Sequence, residues 1–274
     1  MIKLIATDLD ATFLRADKTF NEDLLSTVLT KLKTFDGYFV VATGNHVQRV
    51  ATYFANFSGQ YQLIANNGAE VVLDGIIQNV KSLPEHSLSV ILSLVEQLKT
   101  APQMGLVYTA ADRSFMLASQ APEDPAIVKK ANDFFENLIV VDRIEQIDVP
   151  VLKATVVVQP EETPEFMQAV RLMLPHQVHV TTSGYGAIDI VNIDVNKANA
   201  LQYLANKLSI EPDEIMAFGD GLNDMEMLDF VGHPYAMPNS DPALFDHDFN
   251  VAVSDNEHDG VLNTILEVLN TQKE

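Results

Sequence analysis

The sequence predicts an α/β protein: a core built on a mainly parallel sheet, with a second α/β domain inserted into it. Three observations lead there. Over the first eighty residues, short apolar runs of strand length alternate with helical stripes, the rhythm of right-handed βαβ crossovers. The texture changes over residues 84–185, and the rhythm returns afterwards. Two apolar runs end abruptly in acids, Asp8-Leu9-Asp10 and Gly219-Asp220-Gly221-Leu222-Asn223-Asp224. They lie where open α/β sheets gather ligands, just beyond the carboxyl ends of strands.

Residues 2–7 read as a buried strand. Residues 21–35 read as a helix, with Leu24, Leu25, Val28, Leu29 and Leu32 along one stripe. A second strand is expected over 38–42, a helix over 46–57 and a third strand over 62–65. Asn67-Gly68 is a hairpin turn signal joining that strand to one over 70–73. In the middle third, Leu88, Ile91, Leu92, Val95 and Leu98 form one helical stripe, and Phe166, Val170, Met173 and Leu174 form another. Strand-like runs cover 105–109, 115–118, 154–159 and 178–182. Pro84 opens this region and Ser183-Gly184-Tyr185-Gly186 closes it, as hinge points would. The expected division is therefore 1–83 core, 84–185 inserted domain, and 186–274 core. In the last part, strands are expected over 187–192, 215–218 and 235–237. Helices are expected over 197–208, from near Asn223, and over 259–269.

Composition limits what such a protein can do. The chain has 274 residues, 47% of them hydrophobic, which is enough for real cores. Without cysteine there is neither disulfide nor thiolate chemistry. The first apolar run breaks at Asp8, too early for a signal peptide, and no run reaches the roughly 18 residues of a membrane span. A cytoplasmic protein without a membrane partner is expected. Lys and Arg total 17 against 38 Asp and Glu, a formal charge of −21, which argues against nucleic acid as a partner. An anionic substrate would need a metal and a few placed cations to attract it. No pattern specifies an oligomeric state.

Asp8 and Asp10 would point to opposite faces of a continuing strand, so they should do different jobs. A carboxylate can attack phosphorus, and a second carboxylic acid can protonate the leaving oxygen and then activate water. A turn bearing two solvated acids fits the same three residues. An EF-hand loop fits poorly, since Thr12 and Phe13 stand where it wants a ligand and a glycine. In the second cluster, Gly219 and Gly221 allow close backbone approach while Asp220, Asn223 and Asp224 offer hard oxygen ligands suited to Mg²⁺. An Asp-Gly turn with helix-capping Asn and Asp is the plain alternative. Thr43-Gly44-Asn45 could hold a phosphoryl oxygen at a helix N-terminus, or simply cap that helix. Lys197, at a helix start, is either a point charge for phosphate or an ordinary surface lysine. His176 and His179 flank a strand and read as surface residues.

Together these residues resemble the four-motif pattern of the haloacid dehalogenase superfamily, and more narrowly its Cof-type sugar-phosphatase branch. The motifs are Asp8-Leu9-Asp10-Ala11-Thr12, Ala42-Thr43-Gly44-Asn45, Lys197, and Gly219-Asp220-Gly221-Leu222-Asn223-Asp224-Met225. Asn67-Gly68-Ala69, Ala236-Met237-Pro238-Asn239 and Asp259-Gly260-Val261 support them. The resemblance implies a Rossmann-like core with an inserted cap, and a Mg²⁺-dependent phosphatase of small phosphorylated metabolites, sugar phosphates foremost. It implies Asp8 as nucleophile, Asp10 as general acid/base, and Thr43 and Lys197 as phosphoryl-binding groups, with Gly44, Asn45 and Asn223 beside them. Asp8, the carbonyl of Asp10 and Asp220 would hold the metal, supported by Asn223 and Asp224. A phosphomutase, or a metabolite-binding regulatory protein, would share the pattern. Three positions depart from it: Ala11 and Pro238 replace glycines, and Asn45 replaces an arginine. Arg113 and Lys153 are candidates for reading substrate from the insert, because a cap facing phosphate or sugar often uses a cation.

Overall fold

The computed structural model describes residues 1–135, 137–183 and 187–271. They form two compact units, one of residues 1–79 with 196–274 and the other of residues 80–195. In chain order, the first unit begins with β1 (Leu4–Thr7), α1 (Glu22–Lys33), β2 (Tyr38–Ala42), α2 (Val47–Tyr53), β3 (Gln62–Ala65), β4 (Glu70–Leu73) and β5 (Ile76–Val80). The second unit follows with α3 (Glu85–Val95), β6 (Leu106–Thr109), β7 (Ser114–Leu117), α4 (Pro125–Phe134) and β8 (Leu138–Val141). It ends with β9 (Lys153–Val156), α5 (Thr163–Met173), β10 (Val178–Ser183) and β11 (Ala187–Asn192). The first unit resumes with α6 (Lys197–Leu208), β12 (Ile215–Gly219), α7 (Met225–Phe230), β13 (His233–Ala236), β14 (Asn250–Val251) and α8 (Gly260–Thr271).

The core sheet runs β14-β13-β12-β1-β2-β3-β4-β5. Its pairings from β14 to β3 are parallel, and β3–β4 is the antiparallel hairpin that Asn67-Gly68 announced. Alternate residues of each strand serve opposite faces. Ile5 packs with α1 and α8 through Leu25, Val28, Leu262 and Ile265. Leu4 and Ala6 pack with α6 and α7 through Leu201, Leu204, Met227 and Leu228. This three-layer arrangement has β1 at its centre. The chain leaves β1 for β2 and β3 on one side, while β12 lies on the other. The crevice outside the carboxyl end of β1 is thus a topological switch point, where such sheets bind ligands.

The second unit holds a six-stranded sheet in the order β10-β11-β9-β6-β7-β8, antiparallel except for β7–β8. Leu106, Tyr108, Ile188 and Ile190 pack beneath α3 and α5, and Val107 and Met116 meet Ala131 of α4 on the opposite face.

One expected assignment changes. Residues 187–192 were placed in the core, but β11 pairs with β10 along its whole length and with β9 beyond it. An antiparallel neighbour needs only a short connection, whereas a parallel return needs a crossover. Three residues separate β10 from β11, so the hairpin wins. The second unit therefore spans 80–195 rather than 84–185. The hinge glycines expected at 184 and 186 lie outside the described residues. Four elements lack a sequence assignment: β5, α4, β8 and β14. Ile76, Ile77 and Val140 on β5 and β8 are more than half exposed, so no buried-strand pattern marks those two strands, and β14 is two exposed residues long.

Candidate active site

The site assembles at the carboxyl edge of the core sheet, within the first unit. Asp8 is the residue after β1, and its N–H donates to the Phe218 carbonyl of the neighbouring β12 (3.0 Å). Thr43 follows β2, with its N–H bonded to the Ile64 carbonyl of β3 (2.9 Å). Lys197 is the first residue of α6, whose start Asn196 caps by accepting from the Asn199 N–H. Asp220 follows β12, and Asp224 closes the short turn before α7. Strand order brings these four loops together.

Lys197 Nζ is wholly buried and donates to Asp8 Oδ1 and Asp224 Oδ1, both at 2.6 Å. Lys197 is therefore a counter-ion and not a surface residue. Asp224 Oδ2 accepts from the N–H groups of Asp220 and Gly221, each at 3.0 Å, so this side chain ties the acidic loop to the lysine. A Cβ on Gly219 would overlap the Asp224 side chain, which explains the glycine there. Thr12 Oγ1 donates to Asp220 Oδ1 at 2.6 Å.

One carboxylate oxygen from each of Asp8, Asp220 and Asp224 lies within 4.8 Å of the other two. Burial pushes the Asp8 carboxyl well up, against the pull of Lys197, and the neighbouring acids add to the rise. Asp220 is pushed up to about 7, first by burial and then by Asp224. Burial alone would pull the Lys197 ammonium down, but Asp224 and Asp8 hold it above its ordinary value. Three clustered carboxylates against one ammonium leave surplus negative charge that a divalent cation would relieve. The oxygen-only donor set suits Mg²⁺.

Asp10 stands apart from that cluster. Its carboxylate is about one-third exposed and accepts from Lys18 Nζ at Oδ1 (2.5 Å) and from Asn45 Nδ2 at Oδ2 (2.7 Å). The two acids of Asp8-Leu9-Asp10 thus have different partners. Asn45 Nδ2 also donates to Thr43 Oγ1 (3.0 Å), which accepts from the Asn45 N–H as well (3.1 Å). With both acceptor positions filled, the Thr43 hydroxyl keeps its own proton to donate to a ligand. The Asn223 amide donates to Asn67 Oδ1 (3.2 Å). The Asn67 side chain also lies 3.1 Å from where a Cβ on Gly44 would stand. Ala11, the residue that replaces a glycine, adopts a left-handed φ of 59°.

Of the two cations expected to read substrate from the insert, Arg113 pairs with its neighbour Asp112 at the surface. Lys153 is buried, 3.4 Å from Asp189, which also accepts from Thr155. Lys18 and Asn67 were not singled out as site residues. Asn67 reads as a turn former within a segment that supports the family pattern, and a lysine in a polar loop carries no distinguishing pattern.

Comparison with known proteins decides the family. The model of the haloacid dehalogenase-like hydrolases matches residues 5–265. The chain belongs to that family. A haloacid dehalogenase-like relative, the 5-amino-6-(5-phospho-D-ribitylamino)uracil phosphatase YbjI of Escherichia coli, is 30% identical over 268 residues, 98% of this chain and 96% of that protein. The HMP-PP phosphatase of Serratia proteamaculans is 27% identical over 245 residues, covering 89% and 86%. Among solved structures, SMU.1108c from Streptococcus mutans superposes with a TM-score of 0.91 at 28% identity, covering 99% of this chain and all of that one. This haloacid dehalogenase-like chain is a phosphatase of the Cof type. No helix among its described residues is long and apolar enough to cross a membrane.

Proposed function

We propose that this phosphatase hydrolyses a small phosphorylated polyol or sugar in a Mg²⁺-dependent reaction, through an aspartyl-phosphate on Asp8. The observation that carries the reading is the Asp8 carboxylate, held by buried Lys197 beside Asp220 and Asp224. Asp8 Oδ attacks phosphorus while Asp10 gives its proton to the leaving oxygen, and the substrate alcohol departs. Asp10, now ionised, takes a proton from water as that water attacks the phosphorus of the acyl phosphate. Inorganic phosphate leaves and Asp8 is restored. Lys197 neutralises charge beside the nucleophile, and the Thr43 hydroxyl donates to a phosphoryl oxygen. Mg²⁺, held by Asp8, Asp220 and the Asp10 carbonyl with Asp224 beside them, would neutralise the phosphoryl oxygens and let one anion approach another.

The relatives' names support the substrate class. One acts on a phosphorylated ribitylaminouracil and another on HMP-PP, and both are small molecules carrying phosphate. The family resemblance gives the choice of leaving group to the inserted unit, which enters the chain between the Thr43 loop and Lys197.

The test is phosphate release over a panel of sugar and polyol phosphates, with Mg²⁺ and with chelator, for the wild type and Asp8→Asn. Release by the wild type only with Mg²⁺, and its loss by about a thousandfold or more in Asp8→Asn, is the expected result. Wild-type-like turnover in Asp8→Asn refutes the mechanism. Transfer of phosphate to a second hydroxyl without release would make the protein a phosphomutase.

A further inference from the structure

Asp10 must aim its carboxyl at a leaving oxygen, yet it lies beyond the end of β1 and is about one-third exposed. A side chain so placed samples several rotamers unless something holds it. Among the described residues, two side chains donate to its carboxylate, one to each oxygen: Lys18 at Oδ1 and Asn45 at Oδ2. The Asn45 amide divides its two hydrogens between Asp10 and Thr43. Its side chain therefore links the acid/base to the phosphoryl-binding hydroxyl and has no hydrogen left for phosphate. Position 45 bears asparagine where the family pattern has arginine, and the cation on Asp10 is Lys18.

An exposed ion pair on a loose loop would mean little. The loop bearing Lys18 is not loose. Its backbone closes on itself through Arg15 N–H to the Thr19 carbonyl and Lys18 N–H to the Arg15 carbonyl, both 2.9 Å. The segment before α8 then straps it down from far along the chain. Asp259 takes Arg15 Nη2 at 2.6 Å, Glu257 takes the Ala16 N–H at 2.7 Å, and Asn256 donates to the Leu14 carbonyl at 2.9 Å. Lys18 itself is held at a φ of 66°, a backbone conformation that side-chain-bearing residues adopt only where the surroundings require it. The fold thus fixes where this lysine starts, and its reach ends on Asp10.

We propose that Lys18, with Asn45, is a positioning residue for the reaction: it fixes the Asp10 carboxyl in the orientation that protonates the leaving oxygen. In this role Lys18 acts through Asp10. The proposal rests on the assignment of Asp10 as general acid, and the test separates the two.

An alkyl phosphate needs a proton on its departing alkoxide, whereas p-nitrophenyl phosphate releases a stable phenolate that needs little help. The values of kcat/KM for the best polyol phosphate and for p-nitrophenyl phosphate are compared in the wild type, Lys18→Met and Lys18→Arg. In Lys18→Met the ratio of alkyl to aryl kcat/KM is expected to fall by about tenfold or more, through kcat more than KM. Lys18→Arg, which restores a donor and a charge, is expected to recover most of it. An unchanged ratio in Lys18→Met, whether both activities persist or both fall together, overturns the positioning role. Asp10→Asn serves as the control for the underlying assignment. If it also leaves the ratio unchanged, Asp10 is not the general acid; if it collapses the ratio while Lys18→Met does not, only the role of Lys18 fails.

Discussion

Replacing Lys197 by methionine tests the electrostatic centre of the site with little change in volume. In the native protein its ammonium is wholly buried between two carboxylates at 2.6 Å. Removing one partner of a buried ion pair costs about 3–5 kcal/mol, because the remaining charge is stranded. Two features favour the lower end. Asp8 is already raised toward protonation and can shed its charge by taking a proton. Asp224 keeps two backbone N–H donors on Oδ2. A loss of about 3 kcal/mol corresponds to a fall in Tm of about 6–12 °C for a domain of this size. The assay is thermal unfolding in chelator at pH 5 and pH 8, then with Mg²⁺. The deficit should be larger at pH 8, where the stranded carboxylates are ionised, and smaller at pH 5, where protons replace the lysine. Mg²⁺ should restore much of the stability but not turnover. A deficit equal at both pH values, or below about 2 °C, would show that Lys197 is not the counter-ion of this cluster.

Three further outcomes follow from the same geometry. Asp220 is pushed up to about 7, so its contribution to stability is fully present below the ordinary carboxylate range and is lost as pH rises through about 7. Mg²⁺ binding removes that penalty, so the rise in Tm on adding Mg²⁺ should be larger at pH 8 than at pH 5.5; a shift independent of pH would contradict it. Thr12→Val removes the hydrogen bond that orients Asp220, and isothermal titration should show Mg²⁺ affinity weakened by roughly tenfold or more. Ala11→Gly relieves a left-handed residue at φ 59°; a gain of about 1–2 kcal/mol from lost strain, less about 0.4–1 kcal/mol for a freer unfolded chain, should raise denaturant stability by roughly 0–1.5 kcal/mol, and a clear loss would refute the strain argument.

The parts of this fold legible in the sequence are those where one physical signal dominates. Tyr38–Ala42 and Gln62–Ala65 are short apolar runs bounded by turn residues, and the strands occupy those limits. Lys197–Leu208 matches because its apolar stripe and Asn196 cap agree. Ala187–Asn192 was equally visible as a strand, but an apolar run does not say which sheet it joins, and its partners lie in β9 and β10. The acids of the site were legible because carboxylates crowded at strand ends need a reason. Lys18 was not, since its role depends on a loop fastened to residues 256–259, a contact across some 240 positions that leaves no local pattern. Asn67 was legible as a turn former and as part of a segment supporting the family pattern, but neither signal says that its side chain meets Asn223.

The central claim is that phosphate passes through Asp8. Mixing the enzyme with radiolabelled phosphate ester and Mg²⁺, quenching in acid within the first turnover and digesting would test it most directly. Label should appear on the peptide bearing Asp8, stable to acid and released by hydroxylamine as an acyl phosphate requires, and should be missing from Asp8→Asn. Rapid phosphate release with no labelled peptide, or label on any other residue, would contradict the account.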